Sequence, residues 1–287
     1  MELQRIVPSR DLEQLRSFLS SSDPQDYLLD DLPMWIQEGT LWAGLESGEW
    51  VAFGRVHDLG DRAAWVSGLR VRSVDRGRGL GGQFLSAVLA EARTTGLREF
   101  RAVIEATNDA SRRLFASQGF RSVLEMTLRC GAAIPGDAPA LRRARVGEVE
   151  VGAVGWIPSS SGRADLLPGT DGGRFGRWSP NLLERWTREG KLYLAPGLAV
   201  AVQVDWLRDP LTMWVNPLKG APDALIPAVG RLARQLGQER WQSYLPSTEE
   251  LRDEYRRLGL TPHPHWGDRV HLYERVEGGP DDERNTP

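Results

Sequence analysis

The sequence predicts an α+β protein built from two successive copies of one mixed unit. Three observations carry that expectation. Extended and helical hydrophobic periods follow one another irregularly, three blocks of the first half recur in order in the second, and a low-complexity stretch lies near the midpoint. In chain order, the first half reads as an opening strand over Gln4 to Val7 and helices near Asp11 to Leu19 and Pro24 to Gln37. Extended segments follow over Leu41 to Leu45, Trp50 to Val56 and Ala63 to Val71. Phe84, Leu85, Val88, Leu89 and Ala92 recur at spacings of three and four, which predicts a helix over Gly81 to Thr95 lying on a sheet. A short strand over Arg101 to Ile104, a helix over Asn108 to Gln118 and a closing strand over Arg121 to Leu128 complete the unit. Gly131 to Pro139 reads GAAIPGDAP and has nothing periodic to bury, so it is the expected linker between domains at 1–130 and 140–276. Pro158 to Arg177, rich in Ser and Gly, is expected to be a surface loop. Residues 277–287, without a large apolar side chain, are expected to be a disordered tail.

The recurrence is specific. Trp35-Ile-Gln-Glu38-Gly39-Thr-Leu41-Trp42 answers to Trp186-Thr-Arg-Glu189-Gly190-Lys-Leu192-Tyr193, and Trp65-Val66-Ser-Gly-Leu69 to Trp214-Val215-Asn-Pro-Leu218. Phe115-Ala-Ser-Gln-Gly119-Phe120 answers to Tyr255-Arg-Arg-Leu-Gly259-Leu260. From Leu69 to Gly96 is 27 positions but from Leu218 to Gly237 only 19, so the second copy lacks about eight residues just after its central strand. Its tail repeats the pattern, with Leu225, Val229, Leu232 and Leu236 on one helix and Ser247-Thr-Glu-Glu250 as a capping box for the next.

Composition narrows the function classes. Of 287 residues, 40% are hydrophobic and 26% charged, a soluble globular balance. With 36 basic and 39 acidic side chains the net charge is -3, so the protein as a whole presents no field for nucleic acid or an anionic membrane, and any phosphate must be gripped locally. No 18 apolar residues run together and Met1 to Arg16 is studded with charge, which excludes a secretory signal and a spanning helix and leaves a cytoplasmic protein as the expectation. A lone Cys130 excludes an internal disulfide and a cysteine metal cluster. His263, His265 and His271 have no acidic partners at ligand spacing, so no metal is expected.

The densest chemistry is Arg76-Gly77-Arg78-Gly79-Leu80-Gly81-Gly82, between the strand ending near Val71 and the helix beginning near Gly81. Glycines at a strand-to-helix turn allow positive φ and let an anion approach, while the first helical N–H groups and the positive dipole end point at it. Arg76 and Arg78 add charge to the rim, and the expected ligand is a pyrophosphate. The Gly77-x-Gly79-x-x-Gly82 spacing, with Glu105 further on, also satisfies the dinucleotide fingerprint. That motif, however, opens a βαβ unit, whereas here five residues separate strand from first glycine after four extended segments.

Arg76-x-x-Gly79-x-Gly81, taken with Asn108-x-x-Ser111-x-x-Leu114-Phe115-x-x-x-Gly119-Phe120, resembles the GNAT superfamily of N-acetyltransferases. The resemblance covers Met1 to about Arg129, and the second half joins it through the duplication. It implies two domains, each a mixed, mostly antiparallel sheet flanked by helices, with acetyl-CoA as co-substrate and no metal. It further implies that acetyl-CoA lies where the strand ending at Val71 splays from the one starting near Arg101. Main-chain groups around Leu69 and Val71 would hold the pantetheine arm, amides from Arg76 to Gly82 the pyrophosphate, and Asn108, Ser111 and Phe115 the channel. Trp35 and Trp42 would shape the acceptor pocket. The acceptor is a small-molecule amine or a protein amino group attacking the thioester directly, and the chain is expected to be a monomer or homodimer that binds neither nucleic acid nor membrane.

One departure has a calculable cost. The family usually places a tyrosine, the acid that protonates the departing thiolate, where this chain has Phe115. A thiol has a pKa of about 8.5, so at neutral pH protonation is worth roughly 2 kcal/mol. A lysine-like amine, pKa about 10.4, must shed a proton at roughly 4.6 kcal/mol, so a base is the larger need. Glu105 and Glu125, with Asp58 and Asp61 as further acids at strand ends, are the candidates. In the second copy Leu218-Lys-Gly-Ala-Pro-Asp-Ala lacks both the arginine and the glycine spacing, so that half is expected not to bind coenzyme A. Other classes consistent with the sequence are a non-catalytic acyl-CoA sensor and a protein-interaction scaffold.

Overall fold

Leu15, Phe18 and Leu19 form the buried stripe of a helix over Pro8–Ser22 (α1), which starts at a proline in its first turn and is fixed there by the Val7 N–H donating to Asp11 Oδ2 at 2.8 Å. The computed structural model describes residues 1–37, 40–60, 62–148, 166–171, 174–177, 179–204, 210–264 and 266–278. Two compact units divide the chain: Met1–Ser122 with Leu272–Pro287, and Val123–His271.

The first unit contains β1 (Glu2–Arg5), α1, α2 (Leu28–Gln37), β2 (Thr40–Glu46), β3 (Glu49–Gly60), β4 (Ala63–Val71), α3 (Leu80–Thr94), β5 (Glu99–Glu105) and α4 (Asp109–Ser117). Strands β1 to β4 pair antiparallel in sequence order and β4 pairs β5 in parallel. Side chains alternate between the two faces of this sheet. Leu41, Ala43, Trp50 and Phe53 pack under α1 and α2 with Leu15, Phe18, Leu19, Leu28 and Trp35. Ala52, Val56, Phe100, Ala102 and Ile104 pack under α3 with Phe84, Leu85, Val88 and Leu89. Each of the buried Leu, Ile, Val and Phe side chains contributes roughly 1.5–3 kcal/mol relative to exposure.

The second unit contains most of β6 (Arg121–Ala132), then β7 (Arg142–Arg143), β8 (Leu166–Asp171), β9 (Arg174–Arg177), α5 (Pro180–Arg188), β10 (Leu192–Ala195), β11 (Leu198–Gln203), β12 (Thr212–Lys219), α6 (Pro222–Gln235), β13 (Arg240–Pro246), α7 (Glu249–Arg257) and β14 (Thr261–Pro262). Its sheet runs β6-β13-β12-β11-β10-β7, antiparallel except for the parallel β12–β13 pair. Val200, Val215, Leu225, Val229, Trp241 and Tyr255 belong to its largest core cluster. The mixed, mostly antiparallel architecture with flanking helices is the one expected.

The chain closes differently from a linear reading. Strand β15 (Val270–Val276), which follows the last helix of the second half, neighbours β5, and from Leu272 onward it belongs to the first unit. Strand β6, which follows the last helix of the first half, pairs from Met126 to Ala132 with β13 in the second. Each half therefore gives up its closing strand. The units divide at Ser122 and His271, not at the stretch 131–139, because that stretch is tied down where it begins. Gly131 and Ala132 are still in β6, and the Ala133 and Ile134 N–H groups donate to the carbonyls of Glu239 and Gly230 at 2.9 and 3.2 Å. In the segment expected to be a loop, β8 and β9 form a hairpin, and 158–165 lie outside the described residues. Thr248, not Ser247, caps α7, its side chain accepting from the Leu251 N–H at 3.3 Å. Of the expected tail, Glu277 is anchored by its N–H to the Arg98 carbonyl at 2.8 Å, and 279–287 lie outside the described residues.

Candidate functional site

Strands β4 and β5 start side by side, with Ala63, Ala64 and Trp65 opposite Glu99, Phe100 and Arg101. The pairing ends there, although β4 continues to Val71 and β5 to Glu105. Beyond Trp65, the amides of β4 that point away from β3 have no strand to meet among the described residues, and an open edge of this kind invites a ligand's own polar groups. On its other side β4 carries an irregularity: Phe53 faces Arg70 and Arg55 faces Ser67, which sets Gly68 and Leu69 apart from the regular ladder. Gly68 has φ +65, and a Cβ there would lie 2.2 Å from Cη2 of Trp35. Substituting Gly68 by Ala is therefore expected to cost about 3 kcal/mol, from left-handed strain plus overpacking, as read by chemical denaturation.

Residues 72–79 link β4 to α3. A 3-10 turn over Ser73–Asp75 leads to Gly77 at φ +81 and Gly79 at φ +77, and no side chain caps the start of α3. A Cβ on either glycine would meet nothing within 4 Å, so the space beside these two residues is open, while the Gly82 N–H donates to the Gly79 carbonyl at 3.1 Å. Gly81 and Gly82 have a different role, because Cβ atoms there would reach Leu114 at 3.4 Å and Gln118 at 3.6 Å, which places these two glycines against α4. Leu80 is in the core, so only its main chain is available to a ligand.

Asp75, buried in this turn, shapes it. It accepts from Arg72 Nε at 2.5 Å and Arg78 Nη1 at 2.6 Å, and these two guanidiniums, Arg72 first, hold its carboxyl below the usual range. Arg78 also donates to Glu46 at 2.7 Å. Its charge is thus answered by two carboxylates, whereas Arg76, exposed like Arg78, has its Nε on the Val71 carbonyl at 3.3 Å. Asp75 carries no sequence signal beyond its place before Arg76.

The structure gathers some of the expected residues and separates others. Asn108 caps α4, its Oδ1 accepting from the Ser111 N–H at 3.0 Å, so this pair builds the helix start. The Phe115 ring packs edge-on against Phe120 at 4.9 Å within the core under α3, where Tyr273 of β15 also sits. Trp35 and Trp42 occupy opposite faces of the sheet, Trp35 with α1 and α2 and Trp42 against the α3 side, so they do not share one pocket. Trp35 instead stacks under Arg55, whose Cζ lies 3.7 Å from the ring centroid. Asp26 ties the approach to α2 onto β4. It accepts Arg70 Nε and Nη2 at 2.6 and 3.0 Å, and although burial works to raise its pKa, this pairing and the Leu28 N–H hold it below the usual range.

Glu105 ends β5, and burial pushes its carboxyl above the usual range. Glu125 belongs to the second unit, 3.6 Å from Arg269. Asp58 accepts from the Gly60 N–H at 2.8 Å at an exposed strand end, and Asp61 lies outside the described residues. In the second unit β12 and β13 likewise pair over three residues only, Thr212 to Trp214 with Arg240 to Gln242, yet just Gly220 and Ala221 stand between β12 and α6. The split recurs there without the glycine loop. Among the described residues no group of three or more His, Cys, Asp and Glu side chains is placed to hold a metal, and no helix is long and apolar enough to cross a membrane.

Residues 10–120 match the model of the acetyltransferase (GNAT) family. Among solved structures, a candidate acetyltransferase from Thermoplasma acidophilum is similar over 96% of this chain and 100% of its own, with 16% identity and a TM-score of 0.62. A GCN5-related N-acetyltransferase from Sphaerobacter thermophilus is similar over 96% and 95%, with 17% identity and a TM-score of 0.59. A tandem GNAT protein of the clavulanic acid biosynthesis pathway is similar over 96% and 98%, with 13% identity and a TM-score of 0.54. At these identities the likeness is one of fold, and it spans both halves of the chain. No curated protein matches by sequence.

Proposed function

We propose, from the GNAT match of residues 10–120 and the cradle within it, that this protein is an N-acetyltransferase moving an acetyl group from acetyl-CoA to a primary amine. The observation that carries the reading is the split between β4 and β5 leading to the uncapped start of α3. The amides between Gly77 and Gly81 hold the diphosphate, those of Arg76 and Gly82 already donating to the Ser73 and Gly79 carbonyls at 3.4 and 3.1 Å, and the edge around Leu69 and Val71 takes the pantetheine arm. The amine attacks the thioester carbon, the carbon–sulfur bond breaks, and the thiolate leaves with the electron pair. Since the Phe115 ring has no hydroxyl, the thiolate is protonated by water. The second unit, which has the split but not the loop, is a degenerate copy that does not take coenzyme A in this manner, and the setting is cytoplasmic.

Glu105, at the open end of β5, accepts the proton of the attacking amine. Its raised pKa fixes the sign of a pH effect. Activity falls as the carboxylate is protonated on acidification, and the midpoint of that limb lies above the ordinary glutamate range. The kcat/KM profile of Glu105→Gln is expected to lose this limb and to run below the parent at neutral pH. For stability the sign is reversed: a group whose folded pKa is raised favours the fold below its unfolded pKa and loses that contribution as pH rises through the folded value.

The test is thiol release from acetyl-CoA across an amine library, run beside an Arg76→Ala, Gly79→Val double variant. The parent is expected to release thiol with at least one amine and the variant to lose it, and equal release by both refutes the donor site. Phe115 in the core favours one second reading, an acyl-CoA sensor. That reading predicts stabilisation by acetyl-CoA, about 2.7 kcal/mol at 100 times the Kd, with no thiol released by any amine.

A further inference from the structure

Arg129 lies on β6 in the second unit and is 1% exposed. Its Nη2 donates to Asp268, whereas Nε and Nη1 have no hydrogen-bond partner among the described residues. On the same strand, two residues back and so on the same face, the wholly buried Thr127 has an Oγ1 that is also unpartnered. Arg252 and Arg256 on α7 are near enough to oppose the charge on Arg129, which burial already disfavours. The acid set against Arg129 and Arg252 is Asp268, half-exposed, whose other oxygen is 3.7 Å from Arg252. Arg256 is paired with Asp253 on its own helix, Tyr255 and Glu254 flank the cluster, and Glu125, further along the face of Arg129, is drawn to Arg269.

A buried guanidinium with open N–H groups on two nitrogens, sharing one surface carboxylate with a second arginine, is incomplete as a structural ion pair. We propose that Arg129, Thr127 and Arg252 form a site for the oxyanion of a small ligand, a carboxylate or a phosphate, and that Asp268 is the internal carboxylate holding the site until that ligand displaces it. Arginine's planar fork suits either group, the open Nε and Nη1 supply donors that Asp268 does not use, and the Thr127 hydroxyl supplies another. This site is independent of the acetyl-CoA reading, since it lies in the unit that lacks the glycine loop.

The test follows the Nε–H NMR resonance of Arg129 in the full-length chain. Potassium acetate and potassium phosphate are titrated separately against potassium chloride at matched ionic strength. The resonance is expected to move saturably with acetate or phosphate and not with chloride, and the salt that acts at lower concentration identifies the group. Asp268→Asn frees the site and is expected to tighten binding several-fold, because a self-occupied receptor binds in proportion to its free fraction. Arg252→Ala, on a partly exposed helix position that tolerates truncation, is expected to weaken it several-fold. An ordinary structural pair predicts the opposite for Asp268→Asn: lower stability and no gain in affinity. That result, or a resonance that neither oxyanion moves beyond chloride, overturns the proposal. Anions taken up by the glycine loop do not interfere, since the readout is local to Arg129.

Discussion

A chain ending at Val270 is expected to lose the native structure of its first unit, even though every residue of the first sequence copy is still present. What it lacks is β15. Tyr273 on that strand is buried in the same core cluster as Phe115, Phe120 and Phe100, and its hydroxyl accepts from Arg112 Nε at 3.4 Å. Glu274, also buried, accepts from Arg101 Nε at 2.9 Å, and Arg101 is wholly buried on β5. Loss of a large aromatic from a core costs about 3–5 kcal/mol, and taking one of its two carboxylates from the buried Arg101, whose Nη2 still donates to Glu99 at 2.5 Å, adds to it. Together these rival the whole net stability of a domain, about 5–15 kcal/mol. The truncated chain, and equally a fragment 1–130, should therefore show rapid proteolysis within residues 1–122 and no cooperative melting of that unit. Because Glu99 also accepts from Arg101 Nη2 at 2.5 Å, a full-length Glu99→Leu, Arg101→Met, Glu274→Leu triple variant separates the two costs: replacing the whole ion-paired set by apolar groups is near neutral while a single change is not. A fragment 1–130 that melts cooperatively, with native near-ultraviolet dichroism, would show that the closing strand is dispensable.

The same strand explains where sequence reading stops. Helix α3 and strand β4 were legible because the three-and-four spacing from Phe84 to Ala92 and the extended run from Ala63 to Val71 are local signals. The glycine loop was legible for a related reason: positive φ at Gly77 and Gly79 is a demand that a single residue type meets. Which partner a strand takes is not local. The segment Arg121–Ala132 reads as a closing strand in either register of assembly, and nothing in its alternation says that β13 rather than β5 will hold it. The roles assigned to Arg78, Trp35 and Trp42 depended on spatial neighbours. Asp75 and Glu46 claim Arg78, and the pleat sends Trp42 to the face opposite Trp35, a separation that strand parity and helix docking decide only together.

Gly79→Ala is expected to raise the KM for acetyl-CoA by about 100-fold, equivalent to about 2.7 kcal/mol, while lowering stability much less. The two effects separate because of what surrounds the glycine. A Cβ at Gly79 touches nothing within 4 Å, so the fold suffers only the strain of φ +77 in a residue with a side chain, about 1–2 kcal/mol. The bound diphosphate, however, would occupy the space into which that Cβ projects, and relieving the strain would turn the first amides of α3 away from it. Gly48, in the turn between β2 and β3, is the matched control: its φ is +81 and a Cβ there also meets nothing within 4 Å. Gly48→Ala should therefore reproduce the loss in chemical stability and leave the KM for acetyl-CoA unchanged. Equal KM values for the two variants would mean that the loop is ordinary chain and that the acyl donor is held elsewhere. A difference confined to Gly79 would tie donor binding to the open amides at the start of one helix, because backbone strain is common to both substitutions and only the space in front of α3 distinguishes them.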